Sequence, residues 1–235
     1  MEQTFDTVIR ISGERAEVVV EQTKKGGIIS RKNISPETLS ACFLTSRYDD
    51  ERHATGLLPE NCIAMVMTTK YHYYYIRHPE FQTDMTYYGT EYLNFPIPRL
   101  VFGFKYLPEE GKVAECRVCV VQDGRLNGDT KLYTYPFSNV GVNGSICMGN
   151  NALPVYKDPA RLSGLPGYVL RIPNNDDHYS CGNNRLNWDY RELLEQMKNK
   201  PASYYYTDVL VESGRTLKDF MNWRNGMGEL RFEIP

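Results

Sequence analysis

The chain has no apolar run approaching the roughly 18 residues that a membrane-spanning helix needs. It also lacks a basic start followed by a long apolar segment. "MEQTFDTVIRI" places an acid at its second position, so it does not read as a secretory leader. Positive charge is not in excess: 27 Lys and Arg stand against 29 Asp and Glu, for a net charge of -2. That balance argues against a nucleic-acid partner, which normally requires a basic face. Cysteine is sparse, with 6 in 235 residues. In the absence of a leader these read as reduced thiols and not as a disulfide framework, which implies a cytoplasmic protein. Three catalytic signatures are missing too. There is no G-x-x-x-x-G-K-[ST] to cradle phosphates, no G-x-S-x-G elbow to present a serine, and no H-x-x-x-H to hold a metal.

What remains is a chain able to build a core, with 41% hydrophobic and 24% charged residues. "TFDTVIRIS" and "AEVVVEQTKK" alternate on either side of "GERA" and predict a hairpin. "SPETLSACFLT" predicts a helix, with Ser35 as its cap and Pro36 at the first helical position. These features define an N-terminal extension over residues 1–60. From Cys62 to Val121 the pattern is β: "CIAMVMTTK", "KYHYYYIRH", "TYYGTEYLN", "RLVFGFKYL" and "KVAECRVCVV" each predict a strand. The tyrosines of "KYHYYYIRH" suit a strand better than a platform for stacking bases. "FPIPRL" reads as an extended lead-in to the next strand. Helices are expected at "DPARLSGL", starting from Asp158, at "NWDYRELLEQMKNKP", capped by Asn187, and at "TLKDFMNWR". Strands first and helices later make an α+β protein with a mainly antiparallel sheet.

Cys116 and Cys119 form a C-x-x-C pair, but in an extended strand residues three apart face opposite ways. No second ligand pair accompanies them, so the pair reads as structural. Three histidines, His53, His72 and His78, lie in or beside the β-rich stretch. His178 differs, because "NNDDHYS" sets it in a polar loop with Asp176 and Asp177. Cys147 follows an Asn143-Gly144 turn and precedes Gly149, which predicts a thiol near a loop surface. Asn139 stands eight positions upstream across that turn. A carboxamide returned to the thiol's side is suited to stabilising the oxyanion formed when a thioester is attacked.

The segment "TKLYTYPFSNVGVNGSICMG" closely resembles the active-site signature of ubiquitin-conjugating enzymes. There a Tyr-His-Pro-Asn stretch leads through an Asn-Gly turn to Ile-Cys-Leu, with the same step from Asn to Cys. "NFPIPRLVF" is similar to the proline-rich segment before that site. The resemblance is closer to a prokaryotic branch, family D, also called protein B of the PRTRC mobile-element cassettes. Its members carry "PF-x-NV…G-x-x-C-x-G" and then Leu-Pro, as at Leu153-Pro154 here. The resemblance is specific over residues 95–154 and looser to about residue 200. Phe137-Ser138 replaces His-Pro, Met148-Gly149 replaces Leu-Asp, and "KVAECRVCVVQDG" belongs to a stretch that eukaryotic members lack.

The resemblance implies a ubiquitin-conjugating-like fold over residues 61–235, with a thioester-forming Cys147. It implies a ubiquitin-like modifier and a ThiF-like activating enzyme as partners, and no metal or organic cofactor. Asn139 would support the loop and the oxyanion, and Asp176, Asp177 or His178 would take the acceptor's proton. Two alternatives stand beside this expectation: an inactive scaffold that docks the modifier or its activating enzyme, and a cysteine hydrolase built on Cys147 and His178.

Overall fold

The computed structural model describes residues 6–12, 17–24, 27–46, 55–225 and 228–229. Contacts divide the chain after Thr55 into two units. Among the described residues, no helix is long and apolar enough to cross a membrane.

In the first unit, β1 (Asp6–Ser12) pairs antiparallel with β2 (Glu17–Lys24), the two runs that the alternation predicted. The "GERA" turn and His53 lie outside the described residues. A third strand, β3 (Gly27–Ile34), pairs with the other edge of β2. It was not expected, because its apolar residues Ile28 and Ile29 are adjacent instead of alternating. Helix α1 (Pro36–Ser46) begins at the predicted cap, where Ser35 Oγ accepts the Thr38 amide at 3.1 Å.

The second unit begins with β4 (Cys62–Met67) and β5 (His72–His78). A separate hairpin, β6 (Phe81–Tyr87) and β7 (Thr90–Ile97), follows. The stretch "TYYGTEYLN" is therefore the end of one strand, a turn and the start of the next, not a single strand. Tyr88 and Gly89 both take positive φ, 43° and 78°, which gives the reversal the hand that a tight hairpin needs. "FPIPRL" is likewise divided: Phe95–Ile97 close β7 and Leu100 opens β8 (Leu100–Leu107). Strand β9 (Lys112–Val121) and the short β10 (Lys131–Tyr133) come next, and β11 (Glu212–Thr216) arrives near the C-terminus. These strands form a six-stranded antiparallel sheet in the order β11-β10-β9-β8-β5-β4. Neither β10 nor β11 was expected, since one is three residues long and the other, "ESGRT", is polar.

The sheet is covered on both sides, and its alternation is apolar on both. Tyr74, Ile76, Phe102, Phe104, Cys116 and Val118 face one core. Helices α2 (Leu165–Leu170) and α3 (Tyr190–Met197) contribute to that core. Tyr73, Tyr75, Val101, Cys119 and Val121 face the other, closed by α4 (Leu217–Met221) and Trp223. The C-x-x-C pair thus splits between opposite faces, and burial pushes the Cys116 thiol up to about 12. Helix α3 is capped by Asp189, which accepts the Glu192 amide at 2.8 Å, and not by Asn187, whose φ of 53° puts it in a preceding turn. "DPARLSGL" starts at Asp158 as expected, but runs as a 3-10 helix over Pro159–Gly164 before α2.

Two consequences are testable. The buried Tyr75 hydroxyl donates to Met221 O and accepts from Trp223 Nε1, both at 2.8 Å. Tyr75→Phe strands both partners, so it should cost about 1–3 kcal/mol in urea-unfolding stability. Second, burial pushes the phenols of Tyr74, Tyr87 and Tyr206 up to about 12 from an ordinary 10.0. A raised folded-state pKa means that the native chain keeps protons the unfolded chain releases. This stability is whole below pH 10 and is lost as pH rises through 12. Urea midpoints measured across that window should fall steeply.

Candidate functional site

The segment after β10 carries Cys147, and its position follows from a gap in the sheet. Strand β10 pairs with β9 only at Val120 and Val121. The earlier part of β9 is left open, and Gly144–Ile146 fill it. Gly144 O accepts the Val118 amide at 2.8 Å and Cys116 O accepts the Ile146 amide at 2.9 Å. Arg117 and Ser145 form an antiparallel bridge. Only glycine fits at 144: its φ is 84°, and a Cβ there would meet Val118 O at 2.7 Å. Cys147 is the next residue off this attachment, and it is exposed.

Asn139 to Cys147 form a small hairpin in their own right. Val140 bridges Ile146, the Gly141 amide donates to Ser145 O at 2.9 Å, and Asn143 Oδ1 accepts the Ser145 amide at 3.0 Å. At the open end, the Cys147 amide donates to Asn139 O at 2.7 Å. The eight-residue step in the sequence is therefore a cross-strand pairing. Asn139 sits at φ 63°, a left-handed conformation that asparagine tolerates better than most side chains.

Asn139 is also the point where a second loop is tied in. Its amide donates to Asp177 O at 2.8 Å, and its side-chain Nδ2 donates to Pro173 O at 3.1 Å. The carboxamide is thus held by the 173–178 loop and is not directed at the thiol. It is the main chain of Asn139 that meets Cys147. The Asp177 carboxylate accepts Asn175 Nδ2 at 2.7 Å, and its amide donates to Asn175 Oδ1 at 2.8 Å. The Asp176 carboxylate accepts the Tyr87 hydroxyl at 2.7 Å. His178, exposed at φ 60°, lines a cavity on the other side of the hairpin, together with Val142 and Gly144. Cys147 lines a different crease, with Met85, Tyr135, Asn139, Ile146 and Leu170. The structure therefore joins Cys147, Asn139 and Asp177 through main-chain hydrogen bonds. Among the described residues, no hydrogen bond links His178 to any of them.

Beneath this surface lies a residue that sequence reasoning passed over. Asn174 is only 8% exposed. Its Oδ1 accepts Ser138 Oγ at 3.0 Å and the Tyr190 hydroxyl at 2.9 Å, while its main-chain amide donates to Thr86 O at 2.7 Å. One residue thus ties the hairpin's lead-in to α3 through its side chain and to β6 through its main chain. Ser138, which stands where a histidine or proline was expected from the family signature, is itself buried and serves this knot. The only trace of the knot in the sequence is the run Asn174-Asn175-Asp176-Asp177, which also reads as a solvated loop.

A family model described as prokaryotic E2 family D matches residues 39–164. The match covers more than half of the chain, from within α1 through the Cys147 hairpin to the end of the 3-10 helix, and the chain belongs to that family. No curated protein and no solved structure matches.

Removing the Asn174 carboxamide leaves the buried Ser138 and Tyr190 hydroxyls without their acceptor. Asn174→Ala should lower stability by about 2–4 kcal/mol in chemical denaturation. Iodoacetamide mapped by mass spectrometry should label the exposed Cys42, Cys147 and Cys181 in the native protein well before the buried Cys116 and Cys119.

Proposed function

We propose that this prokaryotic E2 family D chain is a ubiquitin-conjugating-like protein that carries a ubiquitin-like modifier as a thioester on Cys147. Residues 61–235 supply the conjugating-like domain in this reading, and residues 1–60 an N-terminal extension. The modifier arrives as a thioester on a ThiF-like activating enzyme. The Cys147 thiolate attacks its carbonyl carbon, a new C–S bond forms, and the bond to the activating enzyme's sulfur breaks. An amine or hydroxyl of the acceptor then attacks the same carbon and gives its proton to solvent water, and Cys147 leaves as thiolate. The energy of the step resides in the thioester, so the reaction needs no metal or organic cofactor. The observation that carries this reading is the exposed Cys147 at the open end of a hairpin whose other end is Asn139.

Asn139 fixes the thiol through its carbonyl, and Asp177 acts as a positioning residue through its own main-chain oxygen. His178 faces the neighbouring cavity, and its expected part in proton transfer is not retained in this reading.

A second reading, a scaffold that docks the modifier or its activating enzyme without transfer, is favoured by one observation. The Asn139 carboxamide is occupied by Pro173 O. The two readings separate in one experiment, in which the chain is incubated with the ThiF-like enzyme, the ubiquitin-like protein and ATP. Transfer gives an adduct that thiol reductant removes, that is absent in Cys147→Ala, and that becomes reductant-resistant in Cys147→Ser. Co-purification of the partners without any covalent adduct, or an adduct indifferent to both variants, overturns the transfer reading.

A further inference from the structure

The cavity behind the Cys147 hairpin has a volume of about 250 Å³. That is slightly below the range of about 300–1,000 Å³ usual for pockets that enclose drug-sized ligands. It suits a small molecule or ion. Its floor is the sheet, with Val118 and Leu132, and Phe220 from α4 adds an apolar wall. Its polar groups are mostly donors. Arg215 from β11 and His178 from the loop both line it, with Thr134, Asn183 and the hydroxyl-bearing Tyr135 between them.

No aspartate or glutamate lines this space. Among the described residues Arg215 makes no ion pair. Its guanidinium donates only two long bonds, from Nη1 to Val142 O and from Nη2 to Asp219 O, each 3.4 Å. The Asp219 carboxylate accepts the Thr216 amide and hydroxyl, at 2.8 and 2.9 Å, where it completes the cap of α4; those bonds first, and the Arg215 charge to a lesser degree, hold it below the usual carboxylate range. The Asp177 carboxylate, next to His178, is held by Asn175. The result is a guanidinium on a partly buried residue, an imidazole and several neutral groups able to donate, around a space with no carboxylate among its lining residues. A planar fork of N–H groups in that setting matches a carboxylate or a phosphate, which it can hold by two parallel bonds.

We infer that this cavity is a binding site for a small oxyanion, a carboxylate or phosphate group, held by the Arg215 guanidinium with His178 as a second lining group. Tyr135 and Val140 line both this cavity and the Cys147 crease. Arg215 also reaches Val142 O at the hairpin's turn. An anion that draws the guanidinium inward therefore competes with that bond, and occupancy is felt at the base of the thiol-bearing hairpin. The inference does not depend on thioester transfer; it stands on the cavity alone.

The test titrates the full chain with inorganic phosphate, and separately with succinate, at constant ionic strength held with chloride. The amide resonances of Gly144 and Ser213 are followed by NMR. Saturable shifts are expected with at least one of the two anions. Saturation by phosphate alone assigns a phosphate ligand, by succinate alone a carboxylate, and by both the shared chemistry. Arg215→Met should weaken binding at least tenfold and His178→Gln severalfold. If Arg215→Met loses its dispersed spectrum, Arg215→Lys keeps the charge and removes the fork, and it should still weaken binding severalfold. Shifts that stay linear with both anions, or saturation unchanged in all three variants, overturn the site.

Discussion

A single buried carboxamide, that of Asn174, fixes where the thiol-bearing segment lies. Hydroxyls from Ser138 and Tyr190 converge on its oxygen, and the main-chain amide of the same residue donates to Thr86 O in β6. A buried oxygen that accepts two hydroxyls is well satisfied; one that accepts none costs about 1–3 kcal/mol. The knot therefore resists partial opening. To release Ser138, the fold must leave a 2%-exposed hydroxyl unpaired or let water into the core. Ser138 is covalently next to Asn139, so the stiffness of the knot passes directly to the residue that faces Cys147. The adjacent Asn139 bonds to Asp177 O and Pro173 O lie nearer the surface and would not hold the hairpin alone.

The second constraint is the sheet itself. Strands β5, β8 and β9 bury side chains on both faces, with aromatic rings filling much of the two cores. Such a sheet has little interior room for ionised chemistry, because an unpaired charge there is costly; the buried Arg117 of β9 is paired with Glu115 at 3.0 Å. The thiols it contains are made inert, as burial raises Cys116 and Cys119 away from thiolate formation. Reactive groups are pushed onto connections at the sheet's margin. The shortness of β10 supplies the margin: it leaves the 116–118 stretch of β9 free to receive Gly144–Ile146. The exposed thiol thus takes its position from the most regular part of the fold while standing outside it.

Much of this was legible in the sequence, and what was not has physical reasons. Strands buried on both faces read clearly, since "KYHYYYIRH" and "KVAECRVCVV" are rich in β-branched and aromatic residues throughout. Helix α3 was legible from its spacing, though its cap was misplaced by the nearby Asn187, which prefers a left-handed turn. Strands β3, β10 and β11 were missed. Each is stabilised by a neighbour far along the chain, or by adjacent and not alternating apolar residues, and local pattern carries no trace of such pairing. The hairpin at Tyr88-Gly89 was hidden because tyrosine seldom takes positive φ, so "TYYGTEYLN" looks continuous. At the site, the Asn-Gly turn and the step from Asn139 to Cys147 were readable, because they are local. The role of Asn174 was not, because three partners distant in sequence define it.

The position of the Asn139 side chain need not oppose its expected part in the oxyanion. Its bond to Pro173 O is made at a part-exposed site, where exchanging a protein acceptor for water costs only about 0.5–1.5 kcal/mol. A donor aimed at a developing oxyanion is worth more, about 2.7–4 kcal/mol. The balance therefore favours the resting bond while the thiol is free, and under the proposed transfer it would favour the other partner once charge develops beside Cys147. The Asn139 main chain need not move for this to occur. Its amide and carbonyl are tied to Asp177 and Cys147, so such a change would fall on the side-chain torsions alone. A residue anchored by its backbone and held at its side chain by one exchangeable bond could hold a loop and respond to a reaction on it. The same division does not apply to Asn174, whose side chain is itself the anchor.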